Sequence, residues 1–167
     1  MTKVDKRRRR EGKTDYQARI KMLKGELPRI TFRKTNRYIT AQYVTSKEAQ
    51  DKVEEGSSSK DLLNYGWPKE ASGSLKSISA SYLTGVLLGK KIAGKEAIID
   101  LGMIRNVHKS RAYAFLKGLV DSGIKISQKE GIFPDEKRIK GEHMKNKIPF
   151  DAIKSKIMAH KKQEGKK

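Results

Sequence analysis

Three groups of residues have types and spacing suited to chemistry with a polyanion. The first is Lys6-Arg7-Arg8-Arg9-Arg10, followed by Lys13 and Tyr16. The second is Arg33-Lys34 with Arg37-Tyr38, and the third is His108-Lys109-Ser110-Arg111. Guanidinium and ammonium groups neutralise phosphates, and Tyr16 and Tyr38 offer rings on which an unstacked base can lie. Taken singly, each group reads as a solvated charge run. Taken together, with acid-poor surroundings, they favour contact with RNA.

Other candidate chemistries are weaker. Gly89-Lys90-Lys91-Ile92-Ala93-Gly94-Lys95 approaches a phosphate-binding loop, but Glu96 stands where a Ser or Thr must hold magnesium. Its context is also helix-to-strand, whereas such a loop leads from strand to helix so that amides face the phosphate. Asp100 ends an apolar run, and a hairpin followed by a helix-flanked strand resembles a ribonuclease-H-like arrangement. A two-metal nuclease of that kind needs several convergent carboxylates, and the hairpin supplies Thr31, Arg33, Thr40 and Gln42 instead. A metal-dependent nuclease is therefore the alternative reading, and a lone Asp100 is expected to cap or pair. His108, His143 and His160 are scattered and there is no cysteine, so zinc and disulfides find no ligand set. No catalytic residue, metal or cofactor is called for.

The elements that position the cationic groups follow from hydrophobic periodicity. Ile30 and Phe32 alternate with Thr31 and Arg33, and Ile39, Ala41 and Tyr43 alternate with Thr40 and Gln42. Two half-buried strands thus flank the turn Lys34-Thr35-Asn36, with Asn36 expected in the left-handed conformation. A weak third strand is expected near Lys52 to Gly56, and a short helix over Lys60 to Tyr65 that Gly66 ends. Trp67-Pro68 reads as a packed corner and Lys69 to Gly73 as a loop. Residues 75–92 carry Leu75, Ile78, Tyr82 and Val86 at helical spacing, with Gly94 just past the end. Ala97-Ile98-Ile99 reads as a strand buried on both faces and hence central. Ser110 is placed to cap a second helix bearing Ala112, Phe115, Leu116, Leu119 and Val120 inward. Gly123 stops it, and Ile124 to Ile126 is expected to add an edge strand.

The two ends differ from this middle. Residues 1–29 hold 11 Lys and Arg against 4 acids, and residues 128–167 hold 12 against 6. Residues 1–16 cannot form a core and should order only on a polyanion, with Thr14 or Asp15 capping a short helix that follows. The stretch from Phe133 predicts a helix that Gly141 ends. Phe150, Ile153 and Ile157 share one face of a last helix, too thin a stripe to fold without a docking surface. The organisation is a basic RNA-binding extension over 1–28, an α/β core over 29–127 and a basic helical extension over 128–167. The core reads as a small twisted mixed sheet with two packed helices.

The whole chain has 167 residues, 39 Lys and Arg against 19 Asp and Glu, and a net charge of +20. Such a charge opposes compaction unless a polyanion neutralises it, and nucleic acid is the natural partner. An anionic membrane surface is the second candidate for this charge, but it is not favoured and no membrane is expected as a partner; the longest apolar run, around Tyr82 to Leu88, is too short to span a bilayer.

Four blocks carry a resemblance to a known family. They are Arg7-Arg8-Arg9-Arg10-Glu11-Gly12-Lys13-Thr14-Asp15-Tyr16; Pro28-Arg29 through Arg33-Lys34-Thr35-Asn36 to Ala41-Gln42; Ser81-Tyr82-Leu83-Thr84-Gly85; and Ile132-Phe133-Pro134-Asp135-Glu136-Lys137-Arg138-Ile139-Lys140-Gly141-Glu142-His143. In these the chain resembles the archaeal-type L-eighteen family of large-subunit ribosomal proteins, whose eukaryotic counterpart is L-five. The resemblance implies a structural, non-enzymatic role in the cytoplasmic ribosome. Partners would be 5S rRNA, large-subunit rRNA and neighbouring large-subunit ribosomal proteins in the central protuberance. It implies RNA contacts from Arg7, Arg8, Arg9, Arg10, Lys13, Thr14 and Tyr16 in the first block. Arg29, Arg33, Lys34, Asn36, Arg37 and Tyr38 would follow in the second, with Lys109, Ser110 and Arg111 at the start of the second core helix. Residues 46–56 are more acidic and less strand-like than the family pattern.

Overall fold

A computed structural model describes residues 4–48, 50–92, 94–126, 131–144 and 147–159. Its frame is a four-stranded sheet of β1 (Arg29–Lys34), β2 (Ile39–Lys47), β3 (Gln50–Ser58) and β4 (Ile98–Asp100), in the spatial order β3-β2-β1-β4. β1 and β2 form the expected hairpin, pairing from Arg29 with Val44 to Lys34 with Ile39. Alternation decides which face is buried: Ile30, Phe32, Ile39 and Ala41 are all at most 1% exposed, while the residues between them are not sealed. The turn is not closed by a left-handed Asn36, which is absent from the positive-φ residues. Thr35 does that work. Its N–H and hydroxyl both donate to Tyr38 O, each at 2.8 Å, and the hydroxyl accepts from Tyr38 N–H at 2.9 Å.

The third strand is longer than expected. β3 runs nine residues and pairs antiparallel with β2, with an irregularity at Tyr43/Val44. Its residues are mostly exposed because it is an edge with one covered neighbour. β4 is also an edge, which corrects its expected central position. It has three residues and pairs, parallel, with β1 alone. The apolar run reads as central because Ala97 is buried, but Ile98 and Ile99 are only half covered. Ile124 to Ile126 forms no strand; Ile124 packs into the core from irregular chain. Lys69–Ser74 makes 3₁₀ turns where a plain loop was expected, and Ser59–Tyr65 is 3₁₀ too, ended by Gly66 at φ 102°.

Helix α3 (Ile78–Ile92) is the spine. The Ser77 hydroxyl accepts from Ala80 N–H at 3.2 Å and so caps its start. Nearly every residue of the helix is buried, because the sheet lies on one side, α4 (Arg111–Asp121) on another and the C-terminal helices on a third. The crossing of α3 and α4 needs glycine on both partners. A Cβ on Gly85 would lie 2.3 Å from Phe115 O, and one on Gly118 would lie 2.2 Å from Tyr82 O. Sheet, α3 and α4 together bury one apolar cluster around Phe32, Leu88, Phe115 and Leu119.

The last helical stripe finds its docking surface on this protein. α5 (Glu136–Lys140) ends at Gly141 with φ 77°, and α6 (Phe150–Ala159) follows. Ile139, Phe150, Ile153 and Ile157 join Leu62, Trp67, Leu75, Leu83 and Val86 in a second cluster on the far side of α3. Burial of each such side chain contributes about 1.5–3 kcal/mol, as an upper bound. One polar chain ties the joint: Lys154 Nζ donates to Tyr82 Oη, which donates to Asp121 Oδ2, both at 2.7 Å. Burial, then the Asp121 carboxylate, push the Tyr82 phenol well above its ordinary range, so it stays a donor.

Candidate nucleic-acid interface

The extension over residues 4–28 is not formless. Arg7–Arg10 make one helical turn, α1, and Asp15 caps α2 (Tyr16–Lys24), accepting from Gln17 and Ala18 N–H. The turn closes because Arg8 O accepts from Lys13 and Thr14 N–H, while Arg8 Nε donates to Thr14 Oγ1 at 3.0 Å. Residues 4–16 thus include a helical turn and a helix cap, while neither helix buries a residue. Ile20 of α2 is 54% exposed. The Asp15 carboxylate is held below its usual range, chiefly by the Ala18 amide and further by Arg9 at 3.3 Å.

The extension lies against the sheet face that α3 and α4 leave uncovered. The end of α2 approaches β4, where a Cβ on Gly25 would be 3.5 Å from Ile98 Cδ1. Arg19 of α2 reaches Asp51 of β3 at 3.0 Å. Arg29, beneath it, is 4% exposed, donating to Asp51 Oδ1 at 2.6 Å and Ser46 Oγ at 3.1 Å. Burial raises the Asp51 carboxyl, but the Ser46 hydroxyl and the Arg29 and Arg19 charges outweigh it, so its pKa falls below the ordinary value. Arg33 donates to Asp100 Oδ2 at 2.9 Å and to Asp100 O at 2.8 Å. Gly102 N–H donates to Asp100 Oδ1 at 2.8 Å. Asp100 thus pairs, as expected, and its oxygens face cations and an amide.

These placements sort the expected contacts. Arg29 and Thr14, both expected as RNA contacts, are buried and bonded internally, so neither stands open on the surface. Arg33 is half exposed and shared with Asp100. Arg7, Arg9 and Lys13 are exposed but have acid partners in Glu11 or Asp15. Tyr16 carries Lys6 Nζ over its ring at 4.8 Å. At the hairpin tip Lys34, Asn36 and Arg37 are exposed, and Lys76 Nζ fixes the turn by donating to Asn36 O at 3.0 Å. Tyr38 is half buried against the Leu62–Trp67 cluster.

The third group sits at the start of α4. Ser110 occupies the cap position, but its hydroxyl makes no cap hydrogen bond, so the first amides of α4 stay open. Lys109 has φ 56° and donates its N–H to Ile132 O at 2.9 Å; its Nζ is 3.3 Å from Asp135. Among the described residues, Arg8 has no acid partner, and Arg10, Lys34, Arg37 and Arg111 have neither an acid partner nor a side-chain hydrogen bond. Sequence reasoning missed Arg19 and Lys76. Arg19 follows Asp15 at helical spacing, a usable signal; nothing local marks Lys76.

The family model for "Ribosomal large subunit proteins 60S L5, and 50S L18" matches residues 2–98, which takes in the extension, the whole hairpin, β3 and α3. The chain belongs to this family. Proteins named large ribosomal subunit protein uL18 match far beyond that span. The one from Korarchaeum cryptofilum is 46% identical over 145 residues, covering 85% of this chain and 72% of its own. That of Methanothrix thermoacetophila is 38% identical, covering 90% and 89%. That of Methanococcoides burtonii is 38% identical, covering 94% of each. No helix among the described residues is long and apolar enough to cross a membrane.

Proposed function

We propose that this protein is a structural constituent of the large ribosomal subunit that binds 5S rRNA and helps attach it to the large rRNA in the central protuberance. The observation that carries this reading is that five of the expected contacts, Arg8, Arg10, Lys34, Arg37 and Arg111, have no acid partner among the described residues and sit on a helical turn, a closed hairpin and a helix start. The relatives' shared name supports the setting. A-form RNA hides its base edges in a deep, narrow groove, so such cations read phosphates and shape. Lys34 and Arg37 at the hairpin tip and the open amides of α4 beside Arg111 are phosphate sites. The helical turn of α1 presents Arg7 and Arg10 to the same polyanion. Neighbouring large-subunit ribosomal proteins complete the surroundings. The chain's work is neutralisation and positioning, without catalysis.

The test is to purify the protein from its native cell and sequence the RNA that stays bound. Recovery of 5S rRNA is expected. Recovery of unrelated RNA, or magnesium-dependent cleavage of structured RNA that Asp100→Asn abolishes, would overturn the reading in favour of a nuclease.

A further inference from the structure

Between the N-terminal extension and the sheet lies a polar cleft of about 240 Å³, lined among others by Arg8, Lys13, Arg19, Arg29, Arg33 and Asp100. Its floor is the sheet and its wall is the extension. Five lining groups are cations and two, Asp15 and Asp100, are carboxylates. The floor also holds an unmet donor: Arg29 Nε is buried with no hydrogen-bond partner. Arg29 Nη1 stands 4.0 Å from Asp100, beyond hydrogen-bonding distance. On the wall, Arg8 spends Nε on Thr14 and keeps both Nη groups, and Lys13 is 62% exposed.

We propose that this cleft binds one phosphate group, gripped between Arg29 and Arg33 below and Arg8 and Lys13 above. A cation is disfavoured because five positive groups surround the two carboxylates. An apolar ligand would bury charged walls at high cost. A phosphate offers several acceptor oxygens to donors arriving from two elements, and guanidinium forks match that geometry. The site rests on the RNA-binding reading only for the source of its ligand, which is a backbone phosphate in the assembled particle and inorganic phosphate otherwise. Occupancy clamps the extension to the sheet. Neither helix of the extension buries a residue, so a shared anion adds a fastening that packing does not supply.

The experiment uses the full chain labelled with ¹⁵N, titrated with sodium phosphate and, in parallel, with sodium chloride at equal ionic strength. Phosphate is expected to give saturable shifts at the amides of residues 8–19 and of Leu101 and Gly102, half-complete at a concentration on the order of millimolar. Arg8→Gln with Lys13→Gln should raise that concentration at least about tenfold, the worth of one lost charge-assisted bond. Lys69→Gln, in the exposed 3₁₀ turns, should leave it unchanged. Lys13→Gln alone guards against disturbance of the Arg8–Thr14 contact and should shift it in the same direction. Shifts equal to those in chloride, or indifferent to both cleft variants, overturn the proposal. A gel-shift arm with 5S rRNA separates the two readings. RNA binding without phosphate binding removes the cleft and keeps the proposed function. Phosphate binding without RNA binding does the reverse.

Discussion

The salt dependence of RNA binding is the sharpest consequence of the surface described above. Arg8, Arg10, Lys34, Arg37 and Arg111 have no acid partner among the described residues, and Lys109 is exposed with only a weak tie to Asp135. If each of these six neutralises one phosphate, the slope of log affinity against log salt is about −4 to −5, taking about 0.7–0.9 per contact. Between 50 and 200 mM salt the affinity for 5S rRNA then falls roughly 300- to 2,000-fold. The double substitution Lys34→Ala with Arg37→Ala removes two contacts and flattens the slope by about 1.4–1.8. Both side chains are exposed and unbonded, so the thermal midpoint of the free protein should stay put. Filter binding over a salt series, beside calorimetry of each variant, measures both quantities. A wild-type slope near zero would refute phosphate-dominated binding. A slope unchanged in the double variant would refute the hairpin tip as a contact.

Other predictions concern residues that the fold has put to different use. Arg29→Ala leaves Asp51 and Asp100 short of a buried cation and should cost roughly 2–3 kcal/mol in urea unfolding, somewhat less than a fully buried pair because Asp51 is partly solvated. Ile153→Ala should destabilise the chain by about 2–5 kcal/mol through a cavity against α3, which chemical denaturation would read. Asp51 has a folded pKa below its unfolded value, so its contribution to stability is full above the unfolded pKa near 3.8 and is lost as pH falls through the lower folded value. Asp51→Asn should therefore lower stability at neutral pH and flatten the acid limb of the stability–pH profile, leaving only its slope above pH about 5 unchanged.

Much of this architecture is legible from the chain. The hairpin is, because Ile30, Phe32, Ile39 and Ala41 alternate strictly, and one buried face imposes that pattern. The docking of α6 is, because Phe150, Ile153 and Ile157 demand cover. β4 is not, since a three-residue apolar run reads alike at the centre or the edge of a sheet. β3 is obscure for the opposite reason: an exposed edge strand places no demand on its side chains, and Asp51, Lys52, Glu54 and Glu55 carry no alternation to read. Arg29 and Arg33 show how far types alone reach. Both are arginines on the same face of one strand, yet one is 4% and the other 47% exposed. The difference is the cover that α2 and the edge of β3 lay over one end of β1, a tertiary fact without a local trace.

The parallel pairing of β1 with β4 has a consequence for the history of each molecule. Arg29 meets Ile98, its partner 69 positions later, and α3 must be laid down between them. During synthesis the hairpin is complete long before β4 exists, so one side of β1 emerges with its peptide groups unmatched. Contacts so distant in sequence carry a loop-closure cost and slow the final step. The nascent chain therefore passes through a stage with an open strand edge, the kind of surface that draws other strands to it. At that same stage the residues already made include Arg7–Arg10, Lys13, Arg33, Lys34 and Arg37. Like charge at that stage opposes the pairing of one half-made chain's open edge with another's.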